Sequence, residues 1–200
     1  MQFPGSEHER RQRLLEKIAE AAHIGIDFVQ LREKDLCSRD LELLAREAVN
    51  GIHAATGRTR LLINSRTDIA LTAGADGVHL RSSDISPEDV RKIWRDANGP
   101  GKPIIAVSCH TDMEVIAARD AGADFAVFGP VFEKAGAPEM GVWGLDLLRS
   151  ACRHKIPVVA LGGTTPENAH LCIKAGAGGI AGIRLFQKSN IAASVAKLRG

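Results

Sequence analysis

Short apolar runs alternate with longer, charge-studded stretches along the whole chain. The runs cover residues 28–32, 60–64, 77–80, 104–108, 125–131, 157–163 and 179–183. Most are apolar at successive positions, which predicts strands covered on both faces, as in a parallel sheet. The stretches between them carry apolar residues at helical spacing. Leu14, Leu15, Ile18 and Ala22 form one such stripe, and Leu41, Leu44 and Ala48 form another behind the polar start Ser38-Arg39-Asp40. Ser86-Pro87-Glu88 and Thr111 read as helix starts, with proline tolerated at the first helical position. Thr164 or Thr165 is expected to cap a helix running from Pro166 and Glu167 to about residue 175. A last helix is expected over 190–198.

The chain also echoes itself. Ala73-Gly74-Ala75-Asp76-Gly77-Val78 resembles Ala121-Gly122-Ala123-Asp124-Phe125-Ala126-Val127, with weaker copies around Gly25 and Gly176. Each glycine is predicted to end a helix in the left-handed conformation just before a strand. A repeated helix–glycine–strand unit points to an α/β barrel or a doubly wound sheet. No G-x-G-x-x-G follows the first strand, so the barrel is favoured. Polar residues sit where the strands end, and in a (β/α)8 barrel those ends share the chemical rim. Seven strand signals precede or follow helices, and the first element is a helix. The expectation is a single TIM-type barrel domain over residues 1–200, without its first strand, with an open edge suited to pairing with another copy of the chain.

Composition adds three exclusions. Lys plus Arg is 26 against 24 for Asp plus Glu, a net charge of +2, which argues against a nucleic-acid-binding protein. No apolar run approaches the roughly 20 residues of a membrane span, and the polar start resembles no signal peptide. Cys37, Cys109, Cys152 and Cys172 form neither a C-x-x-C pair nor a zinc spacing, which predicts reduced thiols in a cytoplasmic protein.

The strand ends carry the candidate chemistry. Gln30, Arg32 and Lys34 alternate onto one side, and an amide, a guanidinium and an ammonium together suit a polyphosphate. A solvated strand end is the plain alternative. Asn64 ends the next run as a donor for phosphate or for a metal-bound water. Asp84, shortly after the third run, suits Mg²⁺ shared with substrate phosphates, or a turn. His79 reads as a packed histidine. Ser108 reads as a phosphate donor, while adjacent Cys109 and His110 point opposite ways and make a poor nucleophile–base pair. Gly162-Gly163 and Gly182-Ile183-Arg184 follow the last two strands, where barrels often bind phosphate through backbone N–H groups. Residues 133–144, with Gly136, Gly141, Gly144 and Pro138, suit a lid loop.

Together these residues resemble the thiamine phosphate synthase family with its TenI-type thiazole tautomerase relatives. The matching stretches are Gln30-Leu31-Arg32-Glu33-Lys34, Leu62-Ile63-Asn64, Gly74 to Leu80 with Asp84, Val107-Ser108-Cys109-His110, Phe128-Gly129-Pro130-Val131-Phe132 and Val159-Ala160-Leu161-Gly162-Gly163. The resemblance implies a TIM barrel that joins hydroxymethylpyrimidine diphosphate to thiazole phosphate, releasing pyrophosphate. By position it implies that Arg32 and Lys34 act in catalysis and that Gln30, Asn64 and Ser108 also hold pyrophosphate. Asp84 would bind Mg²⁺, and Gly163, Ile183 and Arg184 would hold the thiazole phosphate. Lys134 stands for the family lysine. Three departures accompany it: Asn64-Ser65 in place of Asn-Asp, Glu133-Lys134-Ala135-Gly136 in place of Thr-x-Thr-Lys, and Arg81-Ser82 in place of Gly-Gln. Pro130 stands where the tautomerases carry a histidine. The alternatives are a TenI-like tautomerase and a non-catalytic protein that binds thiazole phosphate.

Overall fold

The computed structural model describes residues 5–55, 58–132, 141–187 and 190–199. Helices and strands alternate: α1 (Glu7–His23), β1 (Phe28–Leu31), α2 (Ser38–Ala54), β2 (Arg60–Asn64), α3 (Thr67–Ala73), β3 (Gly77–Leu80), α4 (Pro87–Asp96), β4 (Ile104–Cys109), α5 (Asp112–Asp120), β5 (Phe125–Phe128), α6 (Gly141–Ala151), β6 (Val158–Leu161), α7 (Ala169–Lys174), β7 (Gly179–Ala181) and α8 (Ile191–Arg199). The seven predicted strands are therefore all present. The chain packs as two compact units that interleave in sequence, Met1–His79 with Val90–Ile104, and Leu80–Asp89 with Ile105–Gly200.

In the first unit, β1 pairs with β2 and β2 with β3, both parallel. Their inner residues are apolar and closed to water; Leu31, Leu61, Leu62, Ile63 and Val78 are at most 2% exposed. Fully burying such a side chain stabilises the fold by about 1.5–3 kcal/mol. Helix α2 adds its predicted stripe of Leu41, Leu44 and Ala48, extended by Ala45, Val49 and Ile52. In the second unit, β4, β5, β6 and β7 pair in chain order, again parallel. Ile105, Ala106, Ala126, Phe128, Val158 and Ala160 are buried there.

The repeated glycines behave as predicted. Gly25, Gly74, Gly122 and Gly176 all have positive φ, from 71° to 105°. The aspartates beside two of them explain why the motif recurs. Asp76 donates its N–H to the carbonyl of Leu61 and accepts the Leu61 N–H on Oδ2 at 2.8 Å. Asp124 makes the same pair of bonds with Ile105, again with 2.8 Å to the side chain. Each aspartate thus closes the ladder at the start of a strand with one residue.

Three local expectations are corrected. The run 125–131 is a strand only to Phe128, because Gly129-Pro130 follows and proline has no N–H for the ladder; Val131 and Phe132 instead donate to Leu161 and Gly162. Neither Thr164 nor Thr165 caps α7. Thr164 donates its hydroxyl to Ala181, Thr165 donates its N–H to the Asn168 side chain, and the helix begins only at Ala169, with Asn168 at the cap position. The expected loop 133–144 is cut short by α6, which starts at Gly141; residues 133–140 lie outside the described residues.

Candidate active site

Where β1 and β2 end, two amides meet. Gln30 pairs with Leu62 in the ladder, so Asn64, two residues further on, shares its face. The Gln30 amide donates to Asn64 Oδ1 at 2.9 Å. Asn64 in turn donates from Nδ2 to Ser65 Oγ at 3.1 Å. Ser65 sits in the left-handed region at φ 59° and gives its N–H to the His79 carbonyl at 3.0 Å. Asn64 is thus held from both ends of its amide. Each NH₂ group has two protons, so Gln30 and Asn64 each retain a donor beyond these contacts.

The cations of this unit divide into two kinds. Arg66 grips Asp68 through two bonds, at 2.8 and 2.6 Å, and also reaches Ser38 Oγ at 3.1 Å. The hydrogen bond from Arg66 holds the Asp68 carboxyl below its ordinary value. Arg66 is therefore committed to joining the starts of α2 and α3. Arg32 and Lys34 differ: both are exposed, and neither makes an ion pair among the described residues. Since β1 ends at Leu31, strand alternation fixes the face of Gln30 but not those of Arg32 and Lys34. His79 is buried, at 7% exposure, as expected of a packed histidine.

In the second unit, Asp84 is the candidate metal ligand. Its Oδ2 accepts the Arg81 backbone N–H at 2.8 Å, and its Oδ1 accepts Nε and Nη2 of the same arginine at 3.1 and 2.8 Å. The Asp84 side chain is 10% exposed and that of Arg81 65%. A nearly buried, backbone-anchored carboxylate is a hard-oxygen donor at a fixed point. Magnesium is commonly held by one or two carboxylates with substrate phosphates completing the sphere. Among the described residues no three His, Cys, Asp or Glu side chains gather into a metal cage.

Ser108 lies half-buried in β4. Beyond it, His110 contacts the Gly129 carbonyl through Nδ1. Cys109 is fully buried, and burial above all, then the charge of Glu114, pushes its thiol up to about 12. That removes it from consideration as a nucleophile, as the alternation predicts. After β6, Gly162 and Gly163 have φ of 100° and 62°. A Cβ on Gly162 would lie 2.6 Å from Pro130 Cα, so the backbones of these two turns touch only because no side chain intervenes. The Gly163 carbonyl accepts from Asn168 at 3.0 Å, and Thr164 ties this turn to the end of β7 through Ala181 at 2.9 Å. Ile183 and Arg184 follow β7 and are exposed. Lys134 lies outside the described residues.

The family model described as thiamine monophosphate synthase matches residues 4–186. The chain belongs to the thiamine monophosphate synthase family. It is 37% identical over 195 residues to the thiamine-phosphate synthase of Nitrosococcus oceani, covering 94% of this chain and 85% of that protein. With the thiamine-phosphate synthase of Moorella thermoacetica it shares 37% over 191 residues, 92% of this chain and 86% of that one. Thiamine phosphate pyrophosphorylase from Pyrococcus furiosus superposes with a TM-score of 0.79 at 27% identity, covering 96% of this chain and 90% of that chain. The fold is the α/β TIM type that the sequence pattern predicts.

Two of the departures from the thiamine monophosphate synthase pattern have their own local roles. The Ser65 hydroxyl accepts from the Asn64 amide. Arg81 occupies the Asp84 carboxylate. The i, i+3 spacing of Arg81 and Asp84 was the available signal, since a turn brings such residues together.

Proposed function

We propose that this chain is a thiamine phosphate synthase, a transferase of thiamine biosynthesis acting on phosphorylated small molecules. It joins hydroxymethylpyrimidine diphosphate to thiazole phosphate. The bond from the pyrimidine methylene carbon to the diphosphate oxygen breaks, and the diphosphate leaves with the electron pair. The thiazole nitrogen then gives its lone pair to that carbon, forming thiamine phosphate.

In such a reaction charge develops on the leaving group, so fixed donors and cations carry most of the catalysis. Gln30 and Asn64 supply oriented amide protons. Arg32 supplies a forked guanidinium and Lys34 a compact ammonium, with Ser108 as a further donor. Gly163, Ile183 and Arg184 take the thiazole phosphate, and Lys134 stands for the family lysine in substrate binding. Asp84 would hold Mg²⁺, which would supply positive charge to the pyrophosphate oxygens. The observation that carries this reading is the Gln30–Asn64 contact at the ends of adjacent strands, beside exposed Arg32 and Lys34.

The reading includes assembly of identical chains through a strand edge and a cytoplasmic site of action. Among the described residues no helix is long and apolar enough to cross a membrane.

The test is a condensation assay with Mg²⁺ and both substrates, detecting thiamine phosphate directly. Product is expected, and Arg32→Ala should lower kcat/KM about 100-fold, the scale of losing one charge-stabilising donor. Folded protein that binds thiazole phosphate saturably but makes no product would instead assign a binding role.

A further inference from the structure

Arg81 and Asp84 close one turn by two backbone links and a forked side-chain contact. The Asp84 N–H donates to the Arg81 carbonyl at 3.1 Å. The Arg81 N–H donates to Asp84 Oδ2 at 2.8 Å. The first closes the turn and the second anchors Oδ2, both independently of the arginine side chain. The guanidinium bonds Oδ1 through Nε and Nη2. It comes from the water side, being 65% exposed where Asp84 is 10% exposed.

The two partners are therefore unequal. The carboxylate is anchored and shielded, while the guanidinium is hydrated and can withdraw into water without unfolding the turn. A divalent cation at Oδ1 requires the space and the charge that the guanidinium fills. From this we infer that Arg81 is the resting counter-ion of Asp84 and that Mg²⁺ displaces it. Before the metal arrives, Arg81 cancels a carboxylate that would otherwise repel a pyrophosphate. After the exchange, its fork is free to meet phosphate oxygens. This rests on the placement of Mg²⁺ at Asp84 in the proposed function.

The experiment titrates Mn²⁺, which takes the same hard-oxygen sites, into the full chain, following the free-ion electron paramagnetic resonance signal. Arg81→Gln should bind Mn²⁺ about two- to fivefold more tightly than the unaltered protein, the scale of an exposed ion pair. Arg81→Lys, which keeps the charge but not the fork, should fall between them, and Asp84→Asn should lose the site. In the unaltered protein the Arg81 Nε–H resonance should shift as Mg²⁺ is added. Equal or weaker binding by Arg81→Gln, absence of an Asp84-dependent site in both proteins, or an unmoved Arg81 resonance at saturation each overturns the exchange. The condensation assay reads the synthase activity separately. Thiamine phosphate formation with unchanged metal affinity in Arg81→Gln would defeat the exchange and leave the synthase reading standing.

Discussion

Gln30 and Asn64 stand on adjacent strands, and the amide of the first donates to the carbonyl oxygen of the second at 2.9 Å. The contact orients both side chains at the end of the sheet without using up their donors. If the pair holds pyrophosphate, Asn64→Ala removes one donor and lets Gln30 turn. We expect kcat/KM for condensation to fall about 10- to 100-fold, the scale of a hydrogen bond to a charged group. Gln30 is exposed and Asn64 half-buried, so thermal unfolding should shift by no more than a few degrees. A normal rate in Asn64→Ala would remove the amide pair from the pyrophosphate site.

Asp76 and Asp124 make a different claim on the same kind of residue. Each accepts a strand N–H, that of Leu61 or Ile105, and those N–H groups are part-buried. Asp124→Ala leaves the Ile105 donor unsatisfied, at a cost of about 1–3 kcal/mol. Asp124→Asn keeps an acceptor and should cost less. Urea unfolding of the two variants distinguishes them; equal loss would mean that charge, rather than the hydrogen bond, is what counts.

The contrast shows what the sequence could express. The Gly–Ala–Asp echo was visible because one local geometry recurs, a left-handed helix end feeding a strand, and its residues are neighbours in the chain. Most strands were visible because both their faces are apolar; β1 is the exception, with Phe28 and Gln30 exposed. Asn64 and Gln30 were separately legible as strand-end amides, but their contact spans 34 residues and depends on ladder register, which no local pattern encodes. Arg66 and Arg32 both follow strands, and only the position of Asp68 and Ser38 shows that the first is engaged; Arg32 makes no ion pair among the described residues. The helix over 166–175 was overextended because Asn168, rather than either threonine, stands at its cap position.

The thiols give a pH-dependent outcome. Burial pushes Cys109 up to about 12, and burial with the neighbouring Cys152 pushes Cys172 up to about 11, from an ordinary value of 9.0. Between about 9 and these values the unfolded chain has released protons that the folded chain keeps. Stability is therefore fully present below about 9 and falls as the pH rises through that window. At pH 8, alkylation should label exposed Cys37 rapidly and leave Cys109 and Cys172 untouched until the chain unfolds. Fast labelling of Cys109 in the folded protein would contradict its burial.

Gly144 offers a test in which helix propensity and packing oppose each other. It lies inside α6, where replacing glycine by alanine ordinarily stabilises by about 1 kcal/mol. Here a Cβ would fall 1.8 Å from the Val131 carbonyl oxygen, a backbone atom that cannot rotate away. Helix α6 would have to move off the turn that follows β5, the turn that also contacts Leu161 and Gly162. Overpacking of this kind costs about 1–3 kcal/mol, which exceeds the propensity gain. Gly144→Ala should therefore lower the urea midpoint of unfolding. It should also weaken thiazole phosphate binding, since Gly162-Gly163 lean on the same turn. A more stable variant with unchanged binding would mean that α6 does not press on Val131.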